Sequence, residues 1–231
     1  MKMRRIYLHS LLDFVTEKED KIRQALESDL GKVLTSEILC VKYEIQQLLK
    51  NLRSWTKTQP MPKTRIFHKD ECVEELLALG TVLIISSWSS PFQNIMIPLA
   101  GAIAAGNCAI IKPADLALAT NQLFVEQIPK YFNRSVCQVL TCTLMETKDF
   151  LKEHRCDFIY FTGAYDDGVY IIPVYIDSSA DIALAAKRVM WGKVFNCGQM
   201  AVAPDYVLCH ADVQVGVNDK LVISHNFKKR I

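Results

Sequence analysis

The stretch TVLIISSWSSPFQNIMIPLAGAIAAGNCAII, residues 81–111, decides the fold of this 231-residue chain. Its first five residues form an apolar run of the length and composition of a buried strand. Residues 92–105 predict a helix, and residues 108–111 predict a second apolar strand. Strands without polar alternation, joined by a helix, are typical of parallel βαβ units that are covered on both faces.

The same alternation continues towards the C-terminus. The pattern predicts a helix over residues 116–128 that stops before Pro129, a strand over 136–140, a helix over 145–154 and a strand over 158–161. It then predicts a strand over 168–176, a helix over 181–194, a strand over 206–209 and a weakly patterned tail. The fold class is therefore α/β, with a doubly wound parallel sheet.

Helices precede this sheet. Apolar residues recur at helical spacing over residues 6–30, and Gly31 supplies a C-terminal stop. A second helix is predicted over residues 37–55. Pro60 and Pro62 end that region, and a charged linker follows to about residue 75.

Composition excludes several function classes. Half of the residues are hydrophobic and 23% are charged, which is typical of a soluble globular protein, and the net charge of +2 is too small to indicate nucleic-acid binding. The eight cysteines include no Cys-x-x-Cys pair, so no metal site is expected. No signal peptide opens the chain and no apolar run reaches the roughly 18 residues of a membrane span. We therefore expect reduced thiols and a cytoplasmic location.

Ligands of open parallel sheets bind beyond the carboxyl ends of the strands. The first such turn, residues 86–91, has no glycine, so the Gly-x-Gly-x-x-Gly dinucleotide fingerprint is absent. Lys112 and Asp115 follow the second strand, where an ammonium and a carboxylate could bind the hydroxyls of an adenosine ribose. The simpler alternative is a Lys-Pro turn in which Asp115 caps the next helix.

Two further loops also allow both a functional and a purely structural interpretation. Gly163 and Gly168 flank the turn after the fourth strand, where backbone N–H groups could approach a pyrophosphate. Asp166 and Asp167 favour an ordinary acidic turn instead, because each adds a negative charge beside such a ligand. Cys197 lies in a later loop without a neighbouring histidine to lower its pKa, which favours a structural role.

An ordered set of motifs resembles one family. The loop Phe195-Asn196-Cys197-Gly198-Gln199-Met200-Ala201 resembles the Asn-x-Gly-Gln-x-Cys nucleophile loop of the class 3 aldehyde dehydrogenases. Residues 81–92, 97–107, 110–116, 158–163 and 203–209 are similar to further segments of that family in the same order, and the nearest branch is the fatty aldehyde dehydrogenases. The resemblance implies oxidation of aldehydes to acids with NAD or NADP, through a cysteine thiolate, an oxyanion-binding asparagine and a general-base glutamate.

The resemblance assigns a coenzyme site to four residues. Lys112 and Asp115 fall where the family's Lys-Pro-Ser-Glu segment holds the adenosine ribose. Gly163 and Gly168 fall in its Thr-Gly-Ser-x-x-Val-Gly turn, where Asp167 replaces the valine.

The resemblance assigns no catalytic residue. Ser89 stands at the position of the oxyanion asparagine, and Ala201 stands at the position of the nucleophile. The Glu-Leu-Gly-Gly segment that bears the general base is missing, because Gly168 is followed almost directly by a segment resembling the strand after it. The three losses together predict a protein without dehydrogenase activity.

The predicted domains are an N-terminal helical segment (residues 1–79), an NAD(P)-binding domain (80–176) and an incomplete catalytic domain (177–231). Aldehydes would be substrates only of an active protein, and the region with which the family dimerises is expected to be missing. Two alternatives remain open. One is a non-catalytic remnant that binds a nucleotide or pairs with an intact family member through its N-terminal helices. The other is an unstable, pseudogene-like product, since losing part of a sheet exposes apolar edges.

Overall fold

A computed structural model describes residues 2–31, 35–62, 72–163, 173–194, 203–204 and 206–227. The chain divides into two compact units, Met1–Gly163 and Ala164–Ile231. In the first unit the N-terminal helices share one core with the sheet. The predicted domain limits stay predictions. The assignment of residues 80–176 to coenzyme binding stays a prediction.

Three helices begin the first unit: α1 (Lys2–Glu17), α2 (Glu19–Leu30) and α3 (Thr35–Trp55). The continuous helix expected over residues 6–30 is broken at Lys18, where φ is −108° and ψ is 16°. Helix α2 packs mainly against a later helix, whereas α1 packs against α3. Gly31 ends α2 as expected, with a φ of 65° and its N–H donated to the carbonyl of Glu27.

A short antiparallel pair occupies the region predicted as a linker. Strand β1 (Gln59–Pro60) pairs with β2 (Val73–Glu74), and both strands are exposed. The pair brings together the two ends of the charged segment before the main sheet begins.

The predicted βαβ units are present. They comprise β3 (Thr81–Ile85), α4 (Gln93–Ala105), β4 (Cys108–Lys112), α5 (Leu118–Tyr131), β5 (Cys137–Val139), α6 (Leu144–Glu153) and β6 (Phe158–Phe161). The four strands are parallel in the order β5-β4-β3-β6, with Leu83 opposite both Ile110 and Ile159. The expectation of an α/β fold with a parallel sheet is confirmed.

Helix α5 corrects one boundary. It continues through Pro129 to Tyr131, although the sequence predicts a stop before the proline. Ile128 and Phe132 are buried, and the ring of Tyr131 lies 5.3 Å from that of Phe14. Packing of the last turn therefore outweighs the cost of the proline.

The core lies between the N-terminal helices and the sheet. Helix α4 is apolar on all sides and is mostly buried. The ring of Phe92, the residue just before α4, stacks on the ring of Phe124 in α5, with their centroids 5.8 Å apart. The centroid of the Phe92 ring lies 6.3 Å from that of Phe14 in α1. This aromatic cluster joins all three helices to the turn after β3, and so fixes the position of that turn.

The second unit contains β7 (Pro173–Ile176), α7 (Ile182–Val194), β8 (Tyr206–Cys209), a 3₁₀ turn (Ala211–Val213) and α8 (Gln214–Phe227). Strands β7 and β8 are parallel, and Ile176 packs with Val213 and Val217 in a small core. The tail expected to be weakly patterned is thus helical. Val213, Val217 and Leu221 recur at four-residue spacing, and they face this core.

Candidate functional site

The turns after β3 and β6 lie side by side at the carboxyl ends of the parallel strands. Successive strands run outwards from β3 through β4 to β5, whereas β6 lies on the other side of β3, so the strand order reverses between β3 and β6. The N–H of Thr162 donates to the carbonyl of Ile85 at 2.9 Å, and its hydroxyl accepts from the N–H of Ser87 at 3.3 Å. A reversal of strand order is where open α/β sheets bind their ligands.

Lys112 and Asp115 form an ion pair beside this edge. Lys112 is the last residue of β4, and its side chain is only 3% exposed, whereas that of Asp115 is 42% exposed. The ammonium group donates a hydrogen bond to the carboxylate of Asp115. A buried ammonium held at a strand end by a solvent-facing carboxylate is a pair that can both donate to and accept from a polyhydroxyl ligand.

The turn expected after Lys112 is present, but Asp115 is not the N-cap residue of α5. The residue before helix α5 is Ala117, and no side chain of that position caps the helix. The carboxylate of Asp29 instead accepts from the N–H groups of Ala119 and Thr120. Asp115 is therefore not needed to cap α5.

Ser89 lies in a cluster of polar side chains at the start of α4. Its hydroxyl lies 3.3 Å from that of Ser87, which accepts from the amide of Asn94 at 3.0 Å. The sequence did not predict Ser87, Asn94 or Thr162 as members of the site. Asn94 could have been found, because it lies in the first turn of a predicted helix that follows a strand end.

The N-terminus of α4 already has a carboxylate. Glu37, on α3 and 2% exposed, accepts from the N–H of Gln93 at 3.0 Å. The positive end of the helix dipole is thereby compensated from within the protein. This helix terminus therefore offers little attraction to a phosphate group.

A capping box closes the N-terminus of α6, next to the end of β5. The hydroxyl of Thr143 accepts from the N–H of Glu146, and the Glu146 carboxylate accepts from the N–H of Thr143 at 2.8 Å. The hydrogen bond from the Thr143 backbone is the largest cause of a lowered pKa of Glu146. The spacing Thr143-x-x-Glu146 is the sequence signature of this motif and could have predicted it.

The remaining predicted positions divide into two groups. Gly163 follows β6 at the reversal of strand order, next to Thr162. Gly168, the acidic pair Asp166 and Asp167, Cys197 and Ala201 lie outside the described residues. Their expected roles stay predictions.

Thiol chemistry gains no support from the described part of the first unit. Burial raises the pKa of the Cys137 thiol to about 12. Cys142 lies beyond β5, with its sulfur 3.2 Å from the hydroxyl of Thr147. No group of histidine, cysteine and acidic side chains that could hold a metal ion occurs among the described residues. Two surface cavities of about 450 and 230 Å³ lie elsewhere, at the end of α6 and between α4 and β6.

The arrangement matches a known family. The sequence model of the aldehyde dehydrogenase family matches residues 1–173. The chain belongs to the aldehyde dehydrogenase family. Aldehyde dehydrogenase family 3 member A2 of Macaca fascicularis is 35% identical over 236 residues, covering 93% of this chain and 48% of that protein.

Two further aldehyde dehydrogenases support the assignment. A relative from Canis lupus familiaris, named "aldehyde dehydrogenase, dimeric NADP-preferring", is 35% identical to this chain. The aligned region covers 93% of this chain and 52% of that protein. The solved structure titled the substrate-bound state of Staphylococcus aureus AldH has a TM-score of 0.88 and 30% identity, covering 97% of this chain and 54% of that one. The chain thus spans about half the length of the aldehyde dehydrogenases that it matches.

The structure bears on only one part of the predicted location, the expected absence of a membrane span. Within the described ranges, none of the helices combines the length and apolar character needed to cross a membrane. The cytoplasmic location stays a prediction.

Proposed function

We propose that this aldehyde dehydrogenase family member binds NAD or NADP and does not oxidise aldehydes. The observation that carries the proposal is the Lys112–Asp115 pair at the carboxyl end of β4. Burying an ammonium group to 3% exposure is costly, and a carboxylate partner offsets that cost. The pair lies at the carboxyl end of the parallel sheet, where open α/β sheets bind ligands, beside a reversal of strand order, and Asp115 is not needed to cap α5.

The pair fits the adenosine ribose of such a coenzyme. A vicinal diol needs an acceptor for one hydroxyl and a donor for the other, and Asp115 and Lys112 supply them. Gly163, which follows β6, would lie along the pyrophosphate, where glycine lets the backbone approach closely. When bound, the coenzyme supplies a hydride acceptor.

The absence of turnover is proposed from three positions of the sequence. Ser89 replaces the oxyanion asparagine, and its hydroxyl is engaged with Ser87. Ala201 has no nucleophilic atom, and no Glu-Leu-Gly-Gly segment is present. An oxyanion-binding donor alone contributes about 2.7–4 kcal/mol to stabilising a transition state. Losing the nucleophile removes the covalent route altogether. We therefore propose neither an aldehyde substrate nor the family's mode of dimerisation for this chain.

The alternative of pairing through the N-terminal helices is less favoured. Most apolar residues of α1 and α2 are buried in the core of their own unit, among them Leu11, Phe14, Ile22 and Leu26, whereas Met3 and Ile6 near the start of α1 are exposed. Their principal apolar faces are therefore occupied. Nucleotide binding needs no such rearrangement.

The proposal is tested by titrating the full chain with NAD and with NADP while following its thermal melt. Binding of either coenzyme raises the melting temperature, because it stabilises only the folded state. Lys112→Met should raise the dissociation constant about tenfold to a hundredfold, since one charge-assisted hydrogen bond is lost. Lys50→Met, at an exposed position of α3, is the matched control and should leave binding unchanged.

Each part of the proposal can fail separately. A cooperative melt that neither coenzyme shifts would contradict coenzyme binding. Aldehyde-dependent formation of reduced coenzyme above background, abolished by Cys197→Ser, would contradict the loss of activity. The absence of any cooperative melt would favour the unstable product.

A further inference from the structure

Strand β6 is the outermost strand of the four-stranded sheet within the described part of the chain. Its four residues are all large and apolar or aromatic, and each is about half exposed. Edge strands of natural sheets are usually protected by a charge, a proline or a bulge. Residues 158–161 include no charged residue and no proline. The carboxylate of Asp157, the residue before β6, accepts from the N–H of Thr81 on β3, away from the open edge.

Both faces of the sheet are uncovered beside β6. Phe158 and Tyr160 border the cavity of about 230 Å³ next to α4, which Leu79 and small residues of that helix also line. Ile159 borders the cavity of about 450 Å³ at the end of α6. Because side chains alternate along a strand, the two cavities lie on opposite faces of the sheet. A strand added to this edge therefore finds room for its side chains on each face.

The backbone of β6 fixes which hydrogen-bonding groups face outwards. The N–H of Thr162, just after the strand, donates to the carbonyl of Ile85 on β3 at 2.9 Å. Backbone groups alternate in direction along a strand, so those of Tyr160 also face β3. The N–H and C=O groups of Ile159 and Phe161 consequently face the open edge.

We propose that two copies of this chain form a dimer by antiparallel pairing of their β6 strands around a two-fold axis at Tyr160. In this register the outward groups of Ile159 meet those of Phe161 in the second copy, and the symmetry repeats the contact, which makes four hydrogen bonds. A register centred on Ile159 makes only two, because it sets Phe161 opposite Asp157, whose N–H is bonded to the carbonyl of Thr81. The two sheets become one sheet of eight strands, and neither copy keeps an open edge at β6.

The exposed surface is large enough for a stable dimer. At about 200 Å² for a fully exposed large side chain, β6 and the neighbouring Leu79, which is 64% exposed, offer about 450 Å² of mostly apolar surface per copy. Non-polar surface makes up slightly more than half of a typical interface, so burying this patch in both copies corresponds to a total interface of about 1,600 Å². That is the standard size of a specific protein interface.

Sedimentation equilibrium of the full chain over a wide range of protein concentration tests the dimer. The average mass of the wild-type chain should rise from that of one chain to that of two. Ile159→Lys should weaken the association about tenfold or more, because it buries an ammonium group between the strands. The variant should keep its cooperative melt, since Ile159 is about half exposed in a single copy. Leu116→Lys, at a 75% exposed position beyond β4, adds the same charge and should leave the association unchanged.

Cross-linking tests the register. Opposed residues of an antiparallel pair that share no hydrogen bonds have Cα atoms about 4.5 Å apart, within reach of a disulfide. Tyr160→Cys should therefore form a disulfide-linked dimer in oxidised glutathione, above the level that the native cysteines of the wild-type chain give. Phe158→Cys, on the same strand and face, is the control. In this register the two copies of position 158 lie four residues apart along the paired strands, roughly 13 Å, which is too far for a disulfide.

Three results would overturn the inference. They are a mass that stays at one chain in a protein that melts cooperatively, an Ile159→Lys variant that associates like the wild-type chain, and equal cross-linking of Tyr160→Cys and Phe158→Cys. The pairing does not depend on the proposed coenzyme site, so Lys112→Met should leave the association unchanged. A failure to bind coenzyme would therefore contradict the proposed function and leave the dimer standing.

Discussion

The carboxylate of Asp29, near the end of α2, accepts hydrogen bonds at 2.8 Å from the backbone N–H groups of Thr120 and its neighbour Ala119 in α5. A side chain 90 residues earlier in the chain thus does for α5 what a local capping residue does for most helices. The contact couples the N-terminal helices to the helix that covers β4 and β5. It also leaves Asp115 available to Lys112.

Loss of this contact should destabilise the first unit. Asp29→Ala leaves two N–H groups of α5 without their acceptor, and we expect the free energy of unfolding to fall by about 1–2 kcal/mol. Glu27→Ala, at an exposed position of the same helix, is the control and should change it by less than about 0.5 kcal/mol. Urea titration followed by circular dichroism measures both changes. Equal effects would show that Asp29 contributes only as a surface charge.

Two glycines should respond in opposite directions to substitution by alanine. Gly80 has a φ of 130°, and a Cβ there would overlap with the carboxylate of Asp157, which accepts from the N–H of Thr81. Gly80→Ala should therefore lower the free energy of unfolding by about 1–3 kcal/mol.

Gly101 is the matched position. It lies inside α4, and a Cβ added there would meet no atom of another part of the protein within 4 Å. Gly101→Ala should raise the free energy of unfolding by up to about 1 kcal/mol, because alanine favours the helix. Chemical denaturation measures both variants, and destabilisation by Gly101→Ala would contradict the open space around that glycine.

The edge strand β6 should promote self-association. Its four residues are 41–47% exposed although all are large and apolar or aromatic, and β6 ends the sheet among the described strands. Such an edge can pair with a second chain. Ile159→Lys should raise the protein concentration at which light scattering detects aggregates.

Leu77 provides the control for this prediction. It is 79% exposed, yet it lies outside the strands. Leu77→Lys adds the same charge and removes a similar apolar area, so an equal gain in solubility would indicate a general charge effect and not strand pairing.

Acid should weaken the contact between α2 and α3. Glu19 accepts from Lys42 at 2.6 Å and from Arg23 at 2.6 Å, and these bonds, Lys42 first, lower the pKa of Glu19 below its ordinary value of 4.5. A carboxylate with a lowered pKa in the folded state stabilises the protein above the pKa of the unfolded state. That stabilisation is lost as the pH falls below 4.5 and through the folded pKa.

Glu19→Gln should therefore lose less stability on acidification. Its free energy of unfolding should lie below that of the wild-type chain at pH 7, and the difference should shrink as the pH falls below about 4.5. Urea titrations between neutral and acidic pH measure the two slopes, with Glu27→Gln as the control for removing one exposed carboxylate. Parallel slopes would contradict the role assigned to the Lys42 contact.

Local patterns were sufficient for most of the helices and strands of the sheet and for the family. The strands Thr81–Ile85, Phe158–Phe161 and Tyr206–Cys209 occur where the sequence predicts them, because continuous apolar runs between turn residues have few alternatives. Lys112 lies at its predicted strand end for the same reason. The end of α5 was predicted wrongly, because packing around Ile128 and Phe132 is invisible to a local rule about proline.

The sequence by itself determined the α/β class, the family and the identity of the residues at the strand ends. Only the tertiary structure decided which partners those residues have. Asp29 caps α5, and Glu37 compensates the N-terminus of α4. Secondary structure follows from spacing within a few residues, whereas these carboxylates reach partners on other elements, and their pairing depends on how helices and strands pack.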